Sequence, residues 1–461
     1  MGFCGRVVVL EDATAQTDRK PMNGIIALVA CLGPYVSSTT LGQLSQLIFG
    51  MLCISGRVTT LGLSRWSEAG GSCRTMQRWY QTPFDWAMLL WVIVRTHLLK
   101  PDGEYMLAGD EVVSGKAGRH TFGVGRFYSS LAGRPIPSIS FLAMSLVDVA
   151  ARRAYPLQVE QRLPPSKPSA SKEPPAPKRP RGRPKGSKSH AKGTPILSAE
   201  LTLVQRMLQS VTTRIAPLVV RHLVLDGYFG TYPATFMVRQ CDLHLISKLH
   251  HNAALYFPFA GAKPRRGPTP RYGNQLKYAA LPADGLRQTV FERHYRLDTY
   301  QFTVLHKDFP DPLNVVVLVK TDLRSHRRGH VVLFSTDLTL PAAQLTDYYS
   351  LRFQIEFNFR DAKQYWGLED FMNVTPTAVT NAANLAFLMV NLSALLVRPL
   401  RQHQPDFSIL DLKARYRAQR YLHETIKLLP LPPDPDLIPA IEHRLLALGA
   451  IHAPQPLLPA A

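Results

Sequence analysis

Hydrophobic and polar positions along the chain follow two periods in turn. Residues 41–99 carry apolar side chains at helical spacing. From Tyr105 the pattern shortens into apolar runs of strand length, at 105–113, 138–149 and 153–159. Helical spacing returns over 197–216. A short apolar strand at 221–227 ends in Asp226 and Gly227, and 232–240 and 243–249 predict a helix and a strand. Residues 253–337 hold alternating segments, such as 301–305, 314–319 and 331–336, broken by Pro and Gly, which predict a β-rich insertion. Helices are predicted over 341–366 and 376–400, then up to Leu428, before a proline-rich tail. Residues 1–22 have no clear period and read as a loose arm or a misplaced translation start.

This gives an α/β fold with a β-rich insertion and an α-helical N-terminal domain. The expected divisions are an arm at 1–22, a helical domain at 23–100 and the first part of a core at 101–252. The insertion follows at 253–337, the last part of the core at 338–400, and a C-terminal helical region and tail at 401–461. Within the first core part, residues 164–195 are rich in Pro, Lys, Ser and Arg and nearly free of large apolar side chains, as in a linker. In the N-terminal domain a short helix from Thr60 to Trp66, the Gly70–Gly71 turn and a second helix opening at Ser72 read as a helix-turn-helix, with Arg74 and Arg78 facing DNA. An ordinary helical bundle with a basic face gives the same pattern.

Composition adds a partner. The 461 residues include 54 Lys and Arg against 33 Asp and Glu, a net charge of +21. Charged residues are only 19% of the chain, below the usual roughly 25%, so the imbalance comes from scarce acids. Such a chain attracts polyanions, and double-stranded DNA leads, ahead of an anionic membrane surface or a ribosomal site. The hydrophobic share of 46% excludes global disorder. Five scattered cysteines without a CxxC pair suit reduced thiols, not a disulfide scaffold or zinc module. The apolar runs 87–94 and 385–397 fall short of the roughly 20 residues of a membrane span. Glu11 and Asp12 make the N-terminus a poor signal peptide, so a cytoplasmic protein without membrane association is expected.

Where acids are scarce, their placement carries information. Asp110 lies in an apolar strand, Asp226 ends another, and Glu356 lies on the helix predicted over 341–366. At about 100° per residue, Tyr349, Arg352, Glu356 and Lys363 share one helix face, while Leu351, Ile355, Phe359, Ala362 and Trp366 line the opposite one. A plain amphipathic helix would look similar. Three carboxylates on rigid elements can converge, and their hard oxygens suit Mg²⁺ or Mn²⁺. Two such ions would hold the attacking and leaving oxygens of a phosphodiester displacement. Tyr349, Arg352 and Lys363 can then contact DNA phosphates. Glu111 rivals Asp110, although strand alternation turns it to the other face. Asp361 and Glu369 rival Glu356.

The spacing Tyr349-x2-Arg352-x3-Glu356-x6-Lys363 resembles the tyrosine–arginine–glutamate–lysine signature of bacterial insertion-sequence transposases with a DDE triad, the insertion-sequence-four-like family. Asp226-Gly227-Tyr228-Phe229-Gly230 resembles that family's second-aspartate motif, and Leu333-Phe334-Ser335-Thr336-Asp337 also matches its pattern. The resemblance covers roughly residues 40–400. It implies a ribonuclease-H-like core interrupted by the insertion, cleavage of transposon ends, and joining of the freed 3′-hydroxyls to target DNA. It further implies two metal ions at Asp110, Asp226 and Glu356, a homodimer on DNA, and a bacterial, nucleoid-associated location. Some family members stack a flipped base on an aromatic of the insertion. This insertion has no Trp, which leaves Tyr300 or Phe302 as the substitute. In the linker, Pro180-Arg181-Gly182-Arg183-Pro184-Lys185 resembles an AT-hook, in which Arg181 and Arg183 would enter a narrow minor groove beside Lys185. The alternatives are a nuclease that cuts without joining and an inactive DNA-binding derivative.

Overall fold

The computed structural model of the protein describes residues 21–67, 72–129, 132–164, 194–262, 267–431 and 433–452. The arm at 1–20, the Gly70–Gly71 turn, and Arg181, Arg183 and Lys185 lie outside the described residues. The chain opens with helices α1 (Pro21–Val29), α2 (Ser38–Cys53), α3 (Thr60–Trp66), α4 (Cys73–Tyr80) and α5 (Trp86–His97). Four of these starts are capped: Ser37, Thr59, Ser72 and Asp85 accept the backbone N–H of Thr40, Gly62, Thr75 and Met88. α3 and α4 pack together, and Arg74 and Arg78 are exposed on α4.

Strands follow as β1 (Tyr105–Gly115), β2 (Gly125–Ser129), β3 (Arg134–Asp148) and β4 (Arg153–Arg162). Then come α6 (Ala199–Arg214), β5 (His222–Val224), α7 (Tyr232–Arg239) and β6 (His244–Leu249). The predicted insertion contains β7 (Leu255–Pro258), β8 (Tyr272–Gln275), β9 (Leu286–Glu292), β10 (Tyr295–His306), β11 (Leu313–Asp322) and β12 (Arg328–Ser335). Helices α8 (Ala342–Leu351), α9 (Gln354–Gln364), α10 (Pro376–His403), α11 (Ile409–Leu428) and α12 (Ile438–Ala447) complete the described chain.

All the strands join one mixed sheet in the order β2-β3-β1-β5-β6-β12-β11-β10-β7-β8, with β4 on β3 and β9 on β10. β1 pairs antiparallel with β3 and parallel with β5, and β6 runs parallel to β5. The middle of β1, Met106 to Ala108, is fully buried, as a strand covered on both faces requires. The N-terminal helices are not set apart from this core. Leu90, Ile93 and Val94 of α5 belong to the same apolar cluster as Leu146 of β3 and Leu388 of α10.

The predicted strands and helices are found, with four differences. β2 has no counterpart in the predicted pattern. α12 forms within the tail expected to be irregular. The apolar run 385–397 is part of α10, a 28-residue helix long and apolar enough by composition to cross a bilayer, though 78% of its most apolar window is buried inside the protein. Finally, the single helix expected over 341–366 is two. At the break, the N–H groups of Phe353, Ile355 and Glu356 bond to carbonyls three residues back, at 3.1, 3.0 and 3.0 Å, so the backbone tightens into a turn. Each helix still buries its share of the apolar stripe: Leu351 on α8, and Ile355, Phe359 and Ala362 on α9.

β4 lies beside β3 with its other edge turned toward helices, which leaves carbonyls without a strand partner. Asparagine side chains supply the donors. Asn358 of α9 reaches the Ala154 carbonyl at 3.1 Å, and Asn384 and Asn391 of α10 reach those of Val159 and Pro156 at 3.2 and 2.9 Å. These bonds seat the helix that carries Glu356 against the sheet. Asn358→Leu keeps the volume but orphans a buried acceptor, so it should destabilise the protein by about 1–3 kcal/mol. Urea unfolding measures this, and an unchanged midpoint would show that the Ala154 carbonyl finds another donor.

Candidate active site

The sheet places Asp110 and Asp226 on neighbouring strands. β1 and β5 are in register at Leu107–Leu223 and Ala108–Val224, so Asp110 and Asp226 stand two residues beyond one paired position. Asp226 caps the turn that follows β5. Its Oδ1 accepts the Tyr228 N–H at 3.2 Å, and its backbone carbonyl accepts the Ser247 hydroxyl at 2.6 Å. Gly230 closes this turn against β6, where a Cβ would strike the Lys248 carbonyl oxygen. The last glycine of the motif is therefore a packing requirement of the turn that holds Asp226.

Glu356 lies in the first turn of α9, with its side chain 43% exposed. Arg352, in the turn between α8 and α9, links it to Asp110. Its Nη1 donates to Asp110 Oδ2, and its Nη2 lies 3.6 Å from Glu356 Oε1. Burial pushes the Asp110 carboxyl up to about 6 from an ordinary 3.8; Arg352 and the Glu111 N–H oppose the rise, and the charges of Asp226 and Glu356 add to it. The same charges meet at Tyr349. Burial raises its hydroxyl, Arg352 draws it down, and Asp226 and Asp110 push it up. Asp110, Asp226, Glu356, Arg352 and Tyr349 thus form one electrostatic unit.

The neighbouring acids are engaged elsewhere. Glu111 accepts the Ser140 hydroxyl and two bonds from Arg162 Nη1, at 2.8 and 2.9 Å. Arg162 continues to Glu200 at 3.5 Å, which accepts the Tyr228 hydroxyl at 3.0 Å. Asp361 pairs with Arg360 at 2.9 Å, and Glu369 with Lys363 at 3.3 Å. Lys363 also donates to the Val113 carbonyl at 2.7 Å, which ties α9 to β1.

The aromatic pair of the insertion departs from expectation. Phe302 is buried, packed on Phe257 and against Gly285, and Tyr300 is partly buried with its ring stacked toward Phe302. A ring enclosed this way has no face for a base. Exposed rings lie elsewhere: Phe353 in the turn before α9 and Phe357 on α9, 50% and 39% exposed, and Tyr228 two residues after Asp226. Phe353 and Phe357 meet edge to face at 5.5 Å, and Arg360 lies over Phe357 at 5.0 Å. Their i, i+4 spacing off the apolar stripe was the available sequence signal.

The donor set of Asp110, Asp226 and Glu356 is all carboxylate oxygen, and the negative charge of Asp226 and Glu356, which opposes ionisation of Asp110, is one that a divalent cation would neutralise. Among the described residues, however, no three such side chains stand close enough together to grip an ion, and Arg352 lies among these acids.

Residues 28–304, more than half of the chain, match the DDE superfamily endonuclease family. The chain belongs to that family. The match contains Asp110 and Asp226 and ends before Glu356. Among solved structures, this DDE endonuclease is similar to the piggyBac transposase of a cryo-EM synaptic complex with hairpin DNA. The identity is 11%, over 94% of this chain and 82% of that one, and the TM-score of 0.40 is too low to bear on this chain's chemistry. No curated protein matches it.

Because the folded protein holds the Asp110 proton to about pH 6 and an unfolded chain to about 3.8, this group makes stability fall as pH rises through that interval. Asp226→Asn removes one of the anions and should move the Asp110 titration downward, making that fall shallower. Unfolding across a pH series, with carbon NMR of labelled carboxyls, tests this. An unmoved titration would mean that the two acids are not coupled.

Proposed function

We propose that this DDE endonuclease is a DNA transposase of the insertion-sequence type, with Asp110, Asp226 and Glu356 as its catalytic carboxylates. The observation that carries the reading is a convergence of distant residues. Arg352 donates to Asp110 and lies 3.6 Å from Glu356, which are 246 positions apart in sequence, and Asp226 stands two residues past the strand that runs parallel beside Asp110. The strand order β4-β3-β1-β5-β6, three antiparallel strands followed by two parallel to β1, supports a ribonuclease-H-like core. Asp110, Asp226 and Glu356 are the residues that would hold divalent ions, two of magnesium or manganese, once drawn together, and the chemistry such ions would supply is Lewis-acid stabilisation of phosphodiester displacement.

The chain's own residues bring DNA to that place. The net charge of +21 supplies attraction along the duplex. Arg352 and the Tyr349 hydroxyl border the carboxylates and are placed to hold the scissile phosphate's neighbours. Phe353, Phe357 and Tyr228 offer flat faces where strand separation would leave bases unstacked. Arg74 and Arg78 on α4 and the basic linker with Arg181, Arg183 and Lys185 add affinity at a distance. Lys363 fixes α9 to β1 and acts on DNA through that placement. Two transposon ends call for two copies of the chain, working on chromosomal DNA in a bacterial cytoplasm.

The family description, an endonuclease, favours cutting as the common step, and joining separates a transposase from a plain nuclease. Asp226→Asn and Glu356→Gln should each abolish Mg²⁺-dependent cleavage of end-bearing duplexes while DNA binding survives. Gel assays of cleavage and of joining from precut ends read both steps. Retained cutting in either variant would refute the carboxylate assignment, and cutting without joined product would identify a nuclease.

A further inference from the structure

Without DNA, Arg352 rests on the carboxylates. Its guanidinium reaches inward to Asp110, stands 3.6 Å from Glu356, and its side chain is only 15% exposed. Its Nε is buried and has no hydrogen-bond partner among the described residues. An arginine fork left with one orphaned donor is incompletely satisfied, which costs stability. A phosphate, which accepts from Nε and Nη together, would satisfy it better than the present arrangement does. A guanidinium bonded to Asp110 and near Glu356 also competes with a divalent cation, because both need the same carboxylate lone pairs and they repel each other.

We propose that Arg352 is an internal counter-ion that bars divalent metal from Asp110 and Glu356 until a DNA phosphate draws the guanidinium away, so that metal loading is coupled to DNA binding. This rests on the reading of Asp110, Asp226 and Glu356 as the metal-holding carboxylates. The side chain is long enough to swing without unfolding anything, since it springs from the turn between α8 and α9 and not from a packed helix interior. The consequence is an enzyme whose hydrolytic site is incomplete away from its substrate. The coupling is reciprocal: if DNA favours metal, metal favours DNA by the same factor.

The test is a Mn²⁺ titration of the full-length, DNA-free protein, following the paramagnetic resonance of free Mn²⁺. Arg352→Gln should bind Mn²⁺ about tenfold or more tightly than the wild type, a change within the range usual for coupled sites. Arg352→Lys keeps the charge and should stay close to the wild type, and thermal melts of both variants confirm that they fold. Adding a short duplex should tighten Mn²⁺ binding to the wild type and leave Arg352→Gln nearly unchanged. Adding Asp226→Asn to Arg352→Gln should erase the gain. If the wild type already binds Mn²⁺ as tightly as Arg352→Gln without DNA, the counter-ion role is overturned and the carboxylate reading stands. If neither protein binds Mn²⁺ with or without DNA, the carboxylate reading falls and takes the proposal with it.

Discussion

Burial of the Asp110 carboxyl in the central sheet, relieved by one arginine, is the constraint on which the candidate site depends. An acid in a strand covered on both faces is costly in its charged form, and two more acids nearby raise that cost. Asp110 carries both burdens, and Arg352 is the group that relieves them. A protein keeps such an arrangement only if rigid elements hold it, since each acid would otherwise turn to water. β1 and β5 supply that rigidity through their parallel pairing, the Asp226 turn is closed by Gly230 against β6, and Lys363 ties α9 back to the Val113 carbonyl.

The surrounding scaffold keeps these elements in place by hydrogen bonding as much as by apolar packing. β4 is bonded to β3 on one side and faces helices on the other, and a strand so placed must find donors for its carbonyls. Asn358, Asn384 and Asn391 provide them from α9 and α10. Asn381 makes the matching connection on the N-terminal side, accepting from the Trp86 indole at 2.7 Å and donating to the carbonyls of Tyr80 and Thr82 at 2.8 and 2.7 Å. α10 is thus bonded to the N-terminal helices as well as to the sheet.

Much of this was legible from residue spacing, because the features that set strand and helix period are local. The strands bearing Asp110 and preceding Asp226, the apolar stripe from Leu351 to Trp366 and the β-rich segment all follow from side-chain alternation. The parts that were not legible are those decided by tertiary neighbours. Phe302 reads as a candidate stacking ring, but its alternation cannot tell a core-facing position from an open one in a strand that pairs on both sides. The asparagines of α10 look like polar interruptions in an apolar helix until β4 is placed beside them. Lys363 sits at the signature spacing, but its bond to a carbonyl of β1 depends on a tertiary neighbour. The interruption at Arg352–Phe353 leaves no mark in composition, since neither residue is a helix breaker.

That interruption has a reason in packing. α8 lies against β6, β10, β11 and β12, whereas α9 lies against β1, β4 and α10. The sheet twists between those two groups of strands, and a straight helix cannot follow both surfaces. The turn falls where the helix passes from one surface to the other, and Arg352 within it reaches Asp110 in the middle of β1. Tightening the backbone there places Arg352 toward Asp110 while Glu356 remains partly open to solvent. The four-residue step from Arg352 to Glu356 therefore spans a junction, and the spacing that reads as one helical face marks the place where two helices meet over the carboxylates.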